Sequence, residues 1–526
     1  MAGLVLLVGA GLCAAAQSYK QTHRDMITSL AAARADKAVA EAEKFLEQRP
    51  DDAESHFVLA CAHTAKGNLD EAMMHVKKAV GSGLPVERFL AGPRGLLKPL
   101  VESEVFQVFA KKASRTHTVP PLVHGPMVGA VTDTSARFWV RTDKEAGVEV
   151  RVRPAEAGAD AAPVVVKGRT TAADDYTAVL EATGLKPETA YTYTVQVVGQ
   201  KIAKPALTFR TFPKAGAPAR FKVVFGGGAG YTPPHEHMWN TIAEQTPLAL
   251  LMLGDNVYID TPKVRATQRY CYYRRQSRLQ WRRLVGVTAV FSIYDDHDFG
   301  DNDCIPGPDI EAPPWKREVW EVFTQNWVNP SYGGGPEQPG CWYTFSIGDV
   351  DVFMLDCRYY RTLKSDPPTM LGPVQKAWLK RELAKSKGTF KVLASSVPWA
   401  YGSKPGSKDP WQGYKEERKE LFDCLAEHKA DGVLLISADR HRSDYWKIER
   451  PGAYDLYEFE SSRLTNIHRH GVMKGSIYGY NKTCSFGLLE FDTTAADPTV
   501  TYRIITIDGE VDHTFQLKRS QLSHER

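Results

Sequence analysis

The sequence predicts a multidomain chain whose larger, C-terminal part has α/β architecture. Three observations carry this. The 526 residues are about three to four times an ordinary domain. Composition is that of a globular protein, 43% hydrophobic and 24% charged. From Phe221 onward, short apolar runs stop abruptly in polar or glycine clusters and are separated by helical stretches, the pattern of strands buried on both faces. Lys and Arg exceed Asp and Glu by only 4, and no basic run stands out, which argues against a nucleic-acid platform. Eight cysteines without a CxxC pair exclude a zinc ribbon, a thioredoxin motif and a disulfide-dense scaffold.

Residues 1–17 read as a signal peptide or an apolar N-terminal segment. Residues 3–12 are apolar or glycine, and Cys13 precedes Ala14, Ala15 and Ala16. The run is too short to span a bilayer and fits an export signal, although no Lys or Arg precedes it. A periplasmic or secreted protein without a transmembrane helix is expected. Residues 20–115 read as helices. Leu59, Ala60, His63, Gly67, Ala72, Val76 and Ala79 keep the spacing of a tetratricopeptide repeat, with Pro85 past its end. Ala38, Ala42, Phe45 and Pro50 resemble half of a preceding repeat. One and a half repeats is short for a solenoid, so a helical cap on a neighbour is preferred to a partner-binding groove. Residues 120–214 then switch to alternating, β-branched runs, such as Ala136-Arg137-Phe138-Trp139-Val140, with turn signals such as Lys186-Pro187-Glu188-Thr189. They predict a small β-sandwich, fibronectin-III-like in size and rhythm.

Residues 219–520 carry the chemistry. Residues 221–225 run into Gly226-Gly227-Gly228, and 248–253 into Gly254-Asp255-Asn256-Val257-Tyr258. Residues 289–294 run into Asp295-Asp296-His297-Asp298, and 433–437 into Ala438-Asp439-Arg440-His441. Ligand sites of α/β sheets gather beyond the carboxyl ends of strands, so one shared site is expected. Asp255, Asp296, Asp439, His441 and the Tyr258 phenol make an oxygen-rich set suited to hard cations such as Ca²⁺, Mg²⁺, Mn²⁺ or Fe³⁺. Crowded carboxylates raise one another's pKa, and a bound cation relieves the repulsion. Two cations bridged by a carboxylate suit in-line displacement at phosphorus, so the residues predict metal-assisted hydrolysis of a phosphate ester.

Five motifs follow in order: Gly254-Asp255-Asn256-Val257-Tyr258, Asp295-Asp296-His297-Asp298-Phe299-Gly300-Asp301-Asn302-Asp303, Asp356-Cys357-Arg358-Tyr359-Tyr360-Arg361, Leu371-Gly372-Pro373-Val374-Gln375-Lys376-Ala377-Trp378-Leu379 and Ser437-Ala438-Asp439-Arg440-His441. Their succession, over roughly residues 120–517, resembles the PhoD-type alkaline phosphatases/phosphodiesterases, relatives of purple acid phosphatases in the metallophosphoesterase superfamily. The resemblance implies an αββα sandwich of two facing sheets with helices outside, one sheet completed by residues 486–517. It implies hydrolysis of phosphomonoesters or phosphodiesters by a metal-bound hydroxide attacking in line. Asp255 would bridge two or more metal ions, Tyr258 would ligate a ferric ion, and Asp296, Asp439 and His441 would complete the set. His297 would be catalytic beside Asp255, protonating the leaving oxygen or stabilising the transition state. The resemblance suggests Fe³⁺ with Ca²⁺; Mn²⁺ and Zn²⁺ are the alternatives. PhoD-type enzymes commonly place a metal-binding Cys at the first strand's end, where this chain has Gly226-Gly227-Gly228. His235 or His237 is a candidate substitute.

Arg440, Asn302, Arg358 and Asn466 are the substrate-binding candidates. A structural network of Asp356 with Arg358 and Arg361 is the preferred reading of that segment, and turn formation the alternative for the asparagines. Gln375 and Trp378 read as packing residues. Cys304 and Cys341 are a candidate disulfide pair in an exported protein, with free thiols the alternative. Loops at 304–315 and 401–411 would set specificity for a small phosphate ester or diester. The rival reading is a catalytically decayed surface interaction protein on a phosphatase scaffold.

Overall fold

The computed structural model describes residues 19, 21–114, 121–156, 162–200 and 206–524. The expected signal segment, 1–17, lies outside them. No described helix is long and apolar enough to cross a membrane.

The N-terminal part is helical. A stretch over 21–31 is followed by Ala35–Gln48, Ala53–Ala65 and Leu69–Gly81. Asp52 starts the second of these by accepting the Ser55 amide at 2.7 Å, and Gly67 turns the chain into the third with φ +78°. Small residues Ala38, Ala42, Ala60, Ala72 and Ala79 are fully buried, which lets the helices approach closely. Ala53–Ala65 is buried almost all round because its outer face is pressed on the rest of the molecule. There the buried Glu54 accepts Tyr270 Oη at 3.0 Å and Arg278 Nη2 at 2.6 Å.

Two large sheets follow. The first has nine strands in the order Val511–Lys518, Thr499–Thr506, Ser485–Asp492, Arg220–Gly226, Ala249–Leu253, Ala289–Ile293, Leu122–Gly129, Ser135–Thr142 and Thr177–Thr183. The second has seven: Tyr343–Ile347, Val350–Met354, Phe390–Ala394, Val433–Ser437, Leu456–Ser461, Ser443–Ile448 and Tyr478–Tyr480. Aromatic pairs lock them face to face: Phe291 stacks on Phe345 at 3.8 Å, Phe459 on Tyr502 at 4.4 Å, and Phe390 meets Phe491 at 5.6 Å. The central strands of each sheet run parallel and are buried on both faces, which explains their unbroken apolar sequences. Residues 485–518 extend the first sheet next to Arg220–Gly226.

The seven strands of the β-rich segment, 120–214, divide between two sheets. Only Val164–Thr170, Ala146–Pro154, Ala190–Val197 and Leu207–Arg210 form a separate sheet. The other three strands belong to the nine-stranded sheet, because Leu122–Gly129 pairs antiparallel with Ser135–Thr142 and its end meets Val290 in parallel register. Trp139 Nε1 donates to Gln325 O at 2.8 Å, and Tyr193 Oη to Gly286 O at 2.7 Å, closing the seam. The described cysteines are free and buried, so Cys304 and Cys341 form no disulfide.

The seam generates a prediction. A Cβ on Gly129 would stand 2.6 Å from Val328 O and 2.7 Å from Val290 O. Gly129→Ala should therefore lower stability by about 1–3 kcal/mol, read as a lower denaturant midpoint at constant m-value. An unchanged midpoint would show that the strand junction is loosely packed.

Candidate functional site

Two neighbouring strand tips of the nine-stranded sheet approach closely because glycine permits it. Gly254 adopts φ +102°, and a Cβ there would lie 2.8 Å from the Asp295 amide nitrogen and collide with its side chain. The next loops are held in the sparsely populated left-handed region: Asp255 at φ 54°, Tyr258 at 56°, Asp439 at 75° and His441 at 47°. Hydrogen bonds hold the loop after Gly254. Asp298 accepts the amides of Asn256 and Val257, each at 2.9 Å, and Asn256 Nδ2 donates to Ile293 O at 2.8 Å.

Two groups of potential ligands result. Asp255, Asp296 and His297 bring one donor atom each within 4.8 Å of one another, and so do His441, His468 and His470. Tyr258 and Asp255 link the groups: Tyr258 Oη lies 2.9 Å from His441 Nε2, and Asp255 Oδ2 3.7 Å from the same nitrogen. Asn466 Nδ2 donates to Tyr258 Oη at 2.6 Å. His297 packs on the Tyr258 ring at 4.8 Å, and its Nδ1 is held by Asp260, which is itself gripped by Arg24 from the N-terminal helical stretch.

Negative charge dominates. Burial pushes the Asp255 carboxyl well above the ordinary range; His297 opposes this, while Asp296, Asp298 and Asp439 reinforce it. Burial raises Asp439 as well, against Lys404, and Asp295, against Arg358. For Asp296, burial is outweighed by Arg358 and His297, which hold its carboxyl low. Burial would lower His297, but Asp296, Asp255 and the Asp260 hydrogen bond carry it well above the usual histidine range. Asp255 Oδ1 is buried without a hydrogen-bond partner among the described residues. An orphaned carboxylate oxygen among mutually repelling acids, with a phenol and imidazoles beside it, fits bound cations.

The substrate-binding candidates separate. Arg358 is fully buried. Its Nε donates to Asp295 at 2.5 Å and its Nη1 to Asp409 at 2.6 Å, while Nη2 lies 3.7 Å from Asp296. It braces carboxylates from behind. Arg361 joins it on Asp409 at 2.8 Å. Asp356 pairs with neither guanidinium; it accepts the Arg358, Tyr359 and Cys341 amides at 2.8–3.0 Å, and Gln375 clamps its backbone. Asn302 is exposed, one residue before Asp303, whose amide binds Asp296 Oδ2 at 2.6 Å. Asn466 is buried and bonded to presumed ligands instead of facing solvent. Arg440 stays beside Asp439 at 3.5 Å. His235 and His237 join neither ligand group: the first bonds Thr465 O at 3.0 Å, and the second is exposed near Asp508.

Several site residues escaped the sequence reading. Lys404 spans Asp303 at 2.7 Å, Asp409 at 3.1 Å and Asp439 at 3.6 Å, from within the loop named as specificity-setting. Asp260 sits two residues beyond Tyr258, a carboxylate close enough in sequence to have been flagged. His468 and His470 form a His-x-His pair just after Asn466, a spacing that was itself a signal. Burial, then Arg440 and His468, push His470 down to about 3, so its ring is neutral at neutral pH.

Two stacked sheets with acidic and imidazole groups at their joined edge define a metallophosphoesterase-type architecture. A family model for PhoD-like phosphatases matches residues 223–522, and the chain belongs to that family. Residues 119–214 match a model described as a domain of unknown function. Alkaline phosphatase D of Bacillus subtilis (strain 168) is 23% identical over 313 residues, 50% of this chain and 53% of that protein; the chain thus spans about half the length of this curated relative. A solved structure of PhoD superposes with TM-score 0.63 at 16% identity, covering 76% of this chain and 90% of that one. A purple acid phosphatase from yellow lupin (Lupinus luteus) seeds gives 0.55 at 12%, covering 76% and 75%. These two likenesses show the fold.

Because Arg358 neutralises three buried acids, Arg358→Met should cost about 3–5 kcal/mol, the penalty of breaking a buried ion pair from one side. Chemical denaturation checks this. A variant with wild-type stability and only a raised KM would return Arg358 to the substrate.

Proposed function

We propose that the chain is a metal-dependent phosphoric ester hydrolase acting on phosphomonoesters or phosphodiesters. The observation that carries this is the convergence of Asp255, Asp296 and His297 with Tyr258 and His441 at one sheet edge. Asp255, Asp296 and Asp439 form the oxygen-rich side, suited to Ca²⁺, Mg²⁺ or Mn²⁺; Tyr258 with His441 suits Fe³⁺ or Zn²⁺. Bound there, such cations would supply Lewis-acid charge to a phosphoryl oxygen and acidify water.

The chain's own groups do the rest. Asp260 fixes the His297 ring through Nδ1, leaving Nε2 for substrate. In its protonated form this ring donates a proton to the departing ester oxygen. Lys404 and Arg440 flank Asp439 and place positive charge where substrate phosphate oxygens would lie. The family membership and the Bacillus subtilis relative support this reading, and the presence of Asp255, Tyr258, Asp296, His297, Asp439 and His441 together disfavours the decayed-scaffold alternative.

Asp255→Asn should abolish both bound metal and turnover. His297→Ala should cut kcat by about 10²–10⁴-fold while metal content stays at the wild-type level. Metal analysis beside assays on a monoester and a bis-ester checks both. Undiminished turnover in Asp255→Asn would refute the assignment.

A further inference from the structure

The three other strand tips around the site each deliver a ligand side chain, but Arg220–Gly226 ends in glycine, and its surroundings explain why. A Cβ on Gly227 would stand 2.7 Å from Ala438 Cβ and 2.9 Å from Gly254 O, and one on Gly228 would strike Ser462 O. The space is filled by backbone. Gly227 N donates to Ser461 O at 2.9 Å, Leu464 N to Gly227 O at 3.1 Å, and Asn466 N to Gly228 O at 3.1 Å. The segment after Ser461 therefore runs along this strand tip and emerges next to His441.

That segment is secured before it reaches the site. Arg463 Nη1 binds Asn481 O at 2.8 Å, Asn481 Nδ2 binds His470 O at 2.7 Å, and the His468 amide binds Asn466 Oδ1 at 3.1 Å. The result is three imidazoles around one point. Ring centroids are 5.1 Å apart for His441 and His468, 5.3 Å for His441 and His470, and 4.8 Å for His468 and His470. The two loop histidines face each other Nε2 to Nε2 at 2.8 Å, and His470 Nδ1 is buried without a partner among the described residues. Nitrogen ligands of a tetrahedral ion lie roughly 3.3 Å apart, a separation these rings reach by small rotations. Of the nearby guanidiniums, Arg440 lies 3.5 Å from Asp439, and Arg442 contacts Asp444 at 2.5 Å and Glu460 at 3.3 Å.

We propose that His468 and His470, with His441, hold a first-row transition-metal ion such as Zn²⁺ or Fe, making the 461–470 segment the supplier of ligands that the Arg220–Gly226 tip has no room to provide. This rests on the phosphoesterase reading, since His441 is shared with its centre. Three nitrogens and an open position are a borderline-soft donor set, distinct from the carboxylate side, so the two halves would select different ions.

The test uses the full chain, stripped with chelator and reloaded with Zn²⁺ or Co²⁺. Wild type should take up at least two ions per chain. His468→Ala/His470→Ala should lose one equivalent, with apparent affinity for it reduced by more than roughly a hundredfold, beyond the effect of removing an outer-shell partner. The visible absorption of the Co²⁺ form should change with it. His468→Asn/His470→Asn, which keeps size and polarity, should show the same loss while retaining the wild-type circular dichroism of the apo protein. Full stoichiometry and an unaltered Co²⁺ spectrum in these variants would overturn the proposal. If they stay fully loaded while Asp255→Asn loses metal and turnover, the hydrolase reading survives and this one falls; a wild type that takes up no ion refutes both.

Discussion

Buried negative charge is the constraint around which this molecule is organised. Asp255, Asp295, Asp296, Asp298, Asp409 and Asp439 are all almost inaccessible to solvent and crowd the joined edge of two sheets. Uncompensated, such a group would be among the most costly arrangements a protein can bury. The fold answers with two tiers of positive charge. Behind the site, Arg358 and Arg361 converge on Asp409, which burial would push upward but these guanidiniums and Lys404 hold well below the ordinary carboxylate range. In front, Asp255 and Asp439 remain raised despite their neighbours. Compensation is complete at Asp409 and Asp296 and incomplete at Asp255, Asp295 and Asp439.

The backbone bears a matching burden. Loops at the tips adopt left-handed conformations at Asp255, Tyr258, Asp439 and His441, which non-glycine residues enter at a cost. Such geometry persists only when surrounding structure over-determines it. Here parallel strands buried on both faces, interlocked by Phe291–Phe345 and Phe459–Tyr502 stacking, provide that rigidity. Precision at the site is thus derived from apolar packing several residues away.

How much of this was legible in the sequence depended on the range of the interaction. Strand-then-cluster grammar exposed Asp255, Tyr258, Asp296, His297, Asp439 and His441, because each sits directly after an apolar run. The role of Arg358 was ambiguous, since an arginine after a strand looks alike whether it reaches for phosphate or braces carboxylates; only its burial decides. The merger of Leu122–Gly129 with the large sheet was hidden because strand pairing between Gly129 and Val290 leaves no local trace. Lys404 and the His468–His470 pair were missed for a different reason. They lie in loops, where no periodicity announces which side chains turn inward.

The N-terminal helices acquire a physical purpose from the same charge economy. Arg24 reaches from residues 21–31 to Asp260, and Asp260 holds His297, so a helical element remote in sequence touches the site through a single carboxylate. Glu54 takes Arg278 and Tyr270 at a second anchor, both from the Arg265–Gln276 helix and its flank. Two half-buried ionic anchors at separate points restrain tilt as well as distance, which a single contact would not. The repeat-like hairpin is therefore tied into the body of the molecule through Glu54, while Arg24 ties the preceding helical stretch to Asp260.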